Sequence, residues 1–242
     1  MKEMVSGLIP SGMKASLKAF LGIPDMELGL LRLSRLGFRP TAVLDIGANV
    51  GAWSRMCRRA FPGTRILAIE PQDNLQAALR KTANELGNVT IAQTLLGARS
   101  AAAVPFHVYE YSGMSSVFPD AESKPIATTS HDMVTLDELI ARTDFPPAQL
   151  IKLDVQGYEL EVLRGGSSAL ETAEVVLSEV SMLPLYEGGP IMHEVVGFMA
   201  DAGFHAYDFL SERRRPSDDA LFQTDMLFVR HDSPIIASKH WK

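Results

Sequence analysis

This chain predicts an α/β architecture: a mainly parallel sheet with helices on both faces. Three observations carry that expectation. From residue 41 onward, short apolar runs alternate with helix-length amphipathic stretches. The first run ends in a glycine-containing bend, Gly47 to Gly51. Carboxylates stand at or next to the ends of later runs, at Glu70, Asp154 and Glu179.

The elements follow in order. Ala42 to Ile46 reads as a buried strand, followed by the bend and a helix over Val50 to Ala60. Arg65 to Glu70 is a second strand and Asp73 to Leu86 a second helix, with Gln72, Asp73 and Asn74 supplying capping residues at its start. Val89 to Gln93 is a third strand. The rhythm breaks over residues 95–135, where short β-like pieces, Val104 to Tyr109 and Met133 to Thr135, are joined by polar loops. It resumes with a helix over Leu136 to Arg142, a strand over Leu150 to Val155 and a short helix over Tyr158 to Leu163. A strand over Glu174 to Val180, a helix over Ile191 to Ala202 and strands over Phe204 to Phe209 and Asp225 to Arg230 complete the pattern. Ahead of all this, residues 1–40 read as a helical extension, stopped by Gly37 and Pro40, and residues 41–242 as one cofactor-binding domain. The apolar helical pieces of the extension are a candidate homodimer contact.

Bulk properties narrow the function classes. The net charge of −6 argues against nucleic acid as the main partner. No apolar run is long enough to span a membrane, and the N-terminus lacks the continuous apolar core of a secretory leader. Cys57 is the single cysteine, so no disulfide forms within the chain; a reducing, cytoplasmic setting is expected. No His/Cys/Asp cluster has metal-site spacing, so no metal is assigned. The basic triplet Arg213 to Arg215 is followed at once by Asp218 and Asp219 and reads as a solvated loop.

In parallel sheets, ligands bind beyond the carboxyl ends of the strands, near the switch in strand order. The bend there reads Asp45-Ile46-Gly47-Ala48-Asn49-Val50-Gly51. A dinucleotide site would show G-x-G-x-x-G. Here the spacing is G-x-x-x-G, with an acid two residues ahead of the first glycine. A carboxylate at that mouth repels a pyrophosphate and suits an ammonium group. Both departures favour S-adenosylmethionine, whose amino acid end is zwitterionic. Glu70, followed by Pro71, is placed to accept from two ribose hydroxyls. Asp154 follows a third run, interrupted by Lys152, whose amine must reach solvent, a carboxylate or the site.

At these residues the chain resembles the FkbM family of S-adenosylmethionine-dependent methyltransferases. The resemblance rests on L-D-I-G-A-N-V-G (44–51), I-E-P (69–71), G-M-S-S (113–116), T-L-D-E-L (135–139), I-K-L-D-V-Q-G-Y-E-L-E-V-L-R-G (151–165), L-S-E-V (177–180) and D-M-L-F-V-R (225–230). It implies a class I methyltransferase, Rossmann-like fold whose seven-stranded sheet ends in an antiparallel strand. It also implies methyl transfer to a hydroxyl of a small natural product or sugar-containing acceptor. The family often has Glu where this chain has Gln156, which removes a charge.

The expected cofactor residues are therefore Asp45, Gly47, Ala48, Asn49, Gly51, Glu70, Pro71, Ser116 and Asp154. A hydroxyl acceptor sheds a proton, and Asp154 is the first candidate to take or orient it, then Glu179 and His193. His131 is a further candidate, and Tyr186 could pack against an acceptor. Two other classes compete: a nicotinamide-dependent oxidoreductase, and a binding module that holds the cofactor without turnover.

Overall fold

The computed structural model describes residues 23–237. Most of the proposed 1–40 extension lies outside that range. The part within it forms α1 (Met26–Arg35), whose cap Asp25 accepts from the Leu28 N–H at 3.2 Å. From there the chain runs β1 (Ala42–Ile46), α2 (Ala52–Ala60), β2 (Arg65–Ile69), α3 (Gln76–Leu86), β3 (Val89–Ala92), β4 (Leu95–Leu96), β5 (Ala101–Val108) and β6 (Ala127–Val134). It continues with α4 (Leu136–Thr143), β7 (Leu150–Leu153), α5 (Glu159–Arg164), α6 (Ser167–Thr172), β8 (Val175–Ser181), α7 (Met192–Asp201), β9 (Phe204–Phe209), β10 (Arg213–Arg214) and β11 (Leu221–Arg230).

The main sheet has the order β10-β11-β8-β7-β1-β2-β3, with β9 also on β11. Strands β3, β2, β1, β7 and β8 are mutually parallel, and β11 runs antiparallel to β8 and β9. These seven are the expected strands. The eighth, two-residue β10, arises because β11 begins at Leu221 rather than Asp225 and its added length pairs with Arg213 and Arg214. The chain leaves β1 toward β2 on one side and β7 toward β8 on the other, so the switch in strand order lies between β1 and β7.

Alternation sorts the buried residues onto two faces. Leu44, Ile46, Ile69, Ile151 and Leu153 pack under α4 to α7. Val43, Ile66, Leu150, Leu177 and Leu227 pack under α1 and α2, with Leu30, Leu33, Trp53 and Cys57. A Cβ on Gly29 would stand 2.5 Å from Leu210, so α1 sits close against the domain. Burial pushes the Cys57 thiol far up, which suits a core residue.

The irregular stretch after β3 is more ordered than its sequence suggests. β4 pairs parallel with β6, and β6 antiparallel with β5, to make a separate three-stranded sheet. The connection after β5 is tied to the one after β8: Ala121 N–H donates to Leu185 O at 2.9 Å and Glu187 N–H to Pro119 O at 3.2 Å.

Candidate functional site

The carboxyl ends of β1, β2 and β7, roofed by residues 112–117, form a cleft that is partly open to solvent. Its apolar walls come from Ile46, Ile69, Leu95, Leu96, Phe106 and Val117. Gly47, Asn49, Glu70, Gln72, Asp154 and Gln156 bring polar groups to it. A mostly apolar cleft with a few converging polar groups is the usual form of a small-molecule site.

The bend after β1 is built by glycine. Gly47 has φ of +72°, and a Cβ there would lie 1.8 Å from the Asp154 carbonyl oxygen. Only glycine lets the two strand ends approach so closely. Gly51, at φ +82°, gives the same closeness to Thr82, where a Cβ would meet the side chain at 2.6 Å. The backbone N–H groups of the bend are all engaged internally. Gly47 and Ala48 donate to Ile69 O, each at 3.0 Å, and Gly51 to Ala48 O at 2.7 Å. Asn49 donates to Glu70 Oε2 and Val50 to Asn49 Oδ1, each at 2.9 Å. A diphosphate needs such N–H groups free, so this bend does not cradle one.

Glu70 is the joint between two loops. Its second oxygen accepts from Gln72 N–H at 3.0 Å, and its side chain is 3% exposed. Burial raises its pKa while these backbone donors oppose the rise. Each carboxylate oxygen keeps a further lone pair for hydroxyl donors. Beside it, Gln72 lines the same cleft, and its Oε1 is buried without a hydrogen-bond partner. Asn49 Nδ2 donates to Ser112 Oγ at 3.1 Å and Gln72 Nε2 to Ser112 O at 3.3 Å, which closes the roof onto the bend.

Across the cleft stands a cluster of charges. Lys152 is buried, with Nζ 3.2 Å from Asp45 Oδ1 and 3.7 Å from Asp154 Oδ2, and it donates to Gly47 O at 2.8 Å. Burial pulls its pKa down, but Asp45 and then Asp154 outweigh that and the net shift is upward. Gln156 Nε2 donates to Asp154 Oδ1 at 2.6 Å and to Glu179 Oε2 at 2.7 Å. Glu179 also binds Arg213 and accepts from Gln223 at 2.7 Å. Burial, then the charge of Asp154, push Glu179 well above the usual carboxylate range. Glu159, fully buried, accepts from Val155 N–H at 3.0 Å, and burial pushes it up to about 7.

Several expected site residues fall elsewhere. Gly47, Asn49, Glu70, Pro71 and Asp154 line the cleft together. Asp45 does not: fully buried behind the bend, it faces Lys152 and accepts from Ser54 Oγ at 2.5 Å. A carboxylate that deep needs those partners, and together they anchor the bend. Ala48 packs with Ala68 and Leu79. Ser116 Oγ donates to Gln156 O at 2.6 Å and accepts from Phe118 N–H; the roof residues that reach the cleft are Ser112, Gly113, Ser115 and Val117. Glu179 sits behind Gln156, off the cleft wall. His193 is exposed on the first turn of α7, and His131 stacks its ring edge-on against Phe106 in the small sheet; neither lines the cleft. Tyr186, in the connection after β8, sets its ring against Gly157 and donates to Gln156 Oε1 at 2.6 Å. Sequence reasoning passed over Gln72 and Gln156 as site residues; their positions after Pro71 and Asp154, each just beyond a strand end, were the available signal.

The family model described as the methyltransferase FkbM domain matches residues 45–206. The hexuronic acid methyltransferase AglP of Haloferax volcanii is 25% identical over 138 residues, covering 56% of this chain and 54% of its own length. The 2-O-methyltransferase NoeI of Sinorhizobium fredii is 24% identical over 163 residues, 60% of this chain and 65% of that protein. The chain thus spans about half the length of the first of these relatives. Among solved structures, an FkbM methyltransferase from Methylobacillus flagellatus superposes with a TM-score of 0.50 at 15% identity, over 78% of this chain and 43% of the other. A candidate O-methyltransferase from Klebsiella pneumoniae does so at 0.50 and 15%, over 95% of both chains. These two structures establish the class I methyltransferase fold.

Proposed function

This chain belongs to the FkbM methyltransferase family, and from that premise we propose that it transfers a methyl group from S-adenosylmethionine to a hydroxyl of a sugar-containing or other small natural product. The carrying observation is the bend after β1: all its N–H groups are spent internally, while Glu70 and Asp154 face one cleft from either side of it. That arrangement offers nothing to the pyrophosphate of a nicotinamide cofactor and suits a cationic donor. A small sugar or natural product as acceptor is supported by the names of the two relatives, one acting on a hexuronic acid and one at a 2-O position.

The residues present fit such a donor. Glu70 would hold the ribose hydroxyls, and the free acceptor of Gln72 an amino or hydroxyl group beside it. The apolar wall of Leu95, Leu96 and Phe106 would take the adenine. Asp154 would face the amino acid and sulfonium end, one-third exposed at the side chain. When bound, the donor supplies an electrophilic methyl group. The chain's own part is positional and electrostatic. Asp154 keeps one oxygen tied to Gln156 and turns the other toward Lys152 and the open side, where it can take the proton of an acceptor hydroxyl. We assign the reaction to a reducing cytoplasm, where Cys57 stays a thiol. No helix among the described residues is long and apolar enough to cross a membrane.

Isothermal calorimetry with S-adenosylhomocysteine tests the donor site, and transfer of labelled methyl to a panel of sugar and polyketide acceptors tests the reaction. Binding of NADH with none of S-adenosylhomocysteine would overturn the reading. Tight donor binding without transfer to any acceptor would favour a binding module.

A further inference from the structure

Gln156 has every side-chain hydrogen-bonding group in use. Its two amide protons go to two different acids, Asp154 and Glu179, and its carbonyl accepts from Tyr186. The residue is 7% exposed and holds a φ of +55°, a left-handed conformation that a glutamine adopts only under constraint. The amide orientation is forced. The two carboxyls accept from the NH₂, and the Tyr186 phenol, which burial and then Glu179 keep protonated, has a proton to give the carbonyl; a flipped amide would set its carbonyl oxygen against both acids. The next residue has to be Gly157, because a Cβ there would stand 2.5 Å from the Tyr186 ring.

We propose that Gln156 is a positioning residue for the donor's charge: its neutral amide turns the Asp154 carboxylate to the cleft and keeps Glu179 out of direct contact with it. The inference rests on the methyltransferase reading. The surroundings make neutrality at 156 matter. Facing this spot are Lys152 and Asp154 on and after β7, Asp45 on β1, Glu159 on α5, Glu179 on β8, Asp225 on β11 and Arg213 on β10. Five carboxyls share two cations there. A sixth carboxyl placed in hydrogen-bond contact with two of them cannot ionise alongside them, and the group takes up a proton. A neutral amide leaves Asp154 to answer the donor's positive charge without that exchange.

The test compares S-adenosylmethionine with S-adenosylhomocysteine, which share every ionisable group and differ by the methyl and its sulfonium charge. Calorimetry near pH 7 in two buffers of different ionisation enthalpy counts the protons exchanged on binding each. Gln156→Glu is expected to release roughly half to one proton more than wild type with S-adenosylmethionine, and no more than wild type with S-adenosylhomocysteine. Gln156→Leu, which removes both donors and adds no charge, is expected to lower the preference for the charged ligand by roughly 3- to 10-fold, from the loss of one charge-assisted hydrogen bond at Asp154. A glutamine that merely fills space would change both affinities alike. Equal effects on the two ligands in Gln156→Leu, with no excess proton in Gln156→Glu, overturn the inference and leave the donor assignment standing. Should Gln156→Glu not fold, Gln156→Leu decides alone. A wild type that binds neither ligand overturns the methyltransferase reading, and the inference with it.

Discussion

Replacing Lys152 with Met tests the joint on which the site is built. Met is unbranched like Lys and one heavy atom shorter, so the change removes the charged end and leaves most of the packing of the stem in place. In the folded chain the ammonium lies 3.2 Å from Asp45 and 3.7 Å from Asp154, and it satisfies the carbonyls of Ile46 at 3.3 Å and Gly47 at 2.8 Å. Asp45 is fully buried, and without Lys152 it retains only Ser54 as partner. Breaking one side of such a buried pair costs about 3–5 kcal/mol, because the remaining charge has neither water nor counter-ion. For a chain of this size that lowers the melting temperature by roughly 10 °C. The assay is urea denaturation of wild type, Lys152→Met, Asp45→Asn and the double variant. If the two groups stabilise each other, the double variant should recover about 2 kcal/mol relative to the sum of the singles. A loss below about 1 kcal/mol in Lys152→Met, with additive singles, would refute the claim that this ion pair holds the bend.

Three further outcomes follow from the same geometry. Glu70→Ala leaves the N–H groups of Asn49 and Gln72 without their carboxylate, and S-adenosylhomocysteine affinity, measured by calorimetry, should fall at least ~10-fold. Gly47→Ala pushes a Cβ onto the Asp154 carbonyl at a positive φ; it should cost more than ~2 kcal/mol, read by thermal denaturation, and abolish donor binding. Glu159 is raised to about 7 from 4.5, so the folded state holds its proton more tightly than the unfolded chain. That contribution is intact below about pH 4.5 and is lost as pH rises to about 7, by up to ~3 kcal/mol. Glu159→Gln, whose amide oxygen still accepts from Val155, should flatten the stability profile over that window; an unchanged profile in urea titrations at pH 5 and pH 7.5 would contradict the assignment.

The structure also separates what a linear reading can reach from what it cannot. β1, β2, β7 and β8 were legible because strands buried on both faces must be apolar almost throughout. The strands of a parallel array also end on one edge, so Glu70 and Asp154 could be expected to meet at one opening. The glycine bend was legible because Gly47 is required by backbone approach, which leaves its mark in residue type. The small sheet of β4 to β6 was legible only in part: its strands alternate weakly and its β5 is mostly exposed, so no strong apolar period marked them.

By itself, then, the sequence determined the class of fold, the edge where the cleft opens and two of the acids that line it, since all of these follow from local periodicity and chain direction. Which charges pair was decided only in three dimensions. Asp45 meets Lys152 because β1 and β7 align those two residues as register partners, and Glu179 meets Asp225 across β8 and β11 in the same way. These four positions share the parity of Val43, Leu150, Leu177 and Leu227, so their side chains converge beneath one face. Register between strands a hundred residues apart is set by the packing of the whole sheet, and nothing local to Asp45 reveals that its partner is a buried lysine and not a ligand.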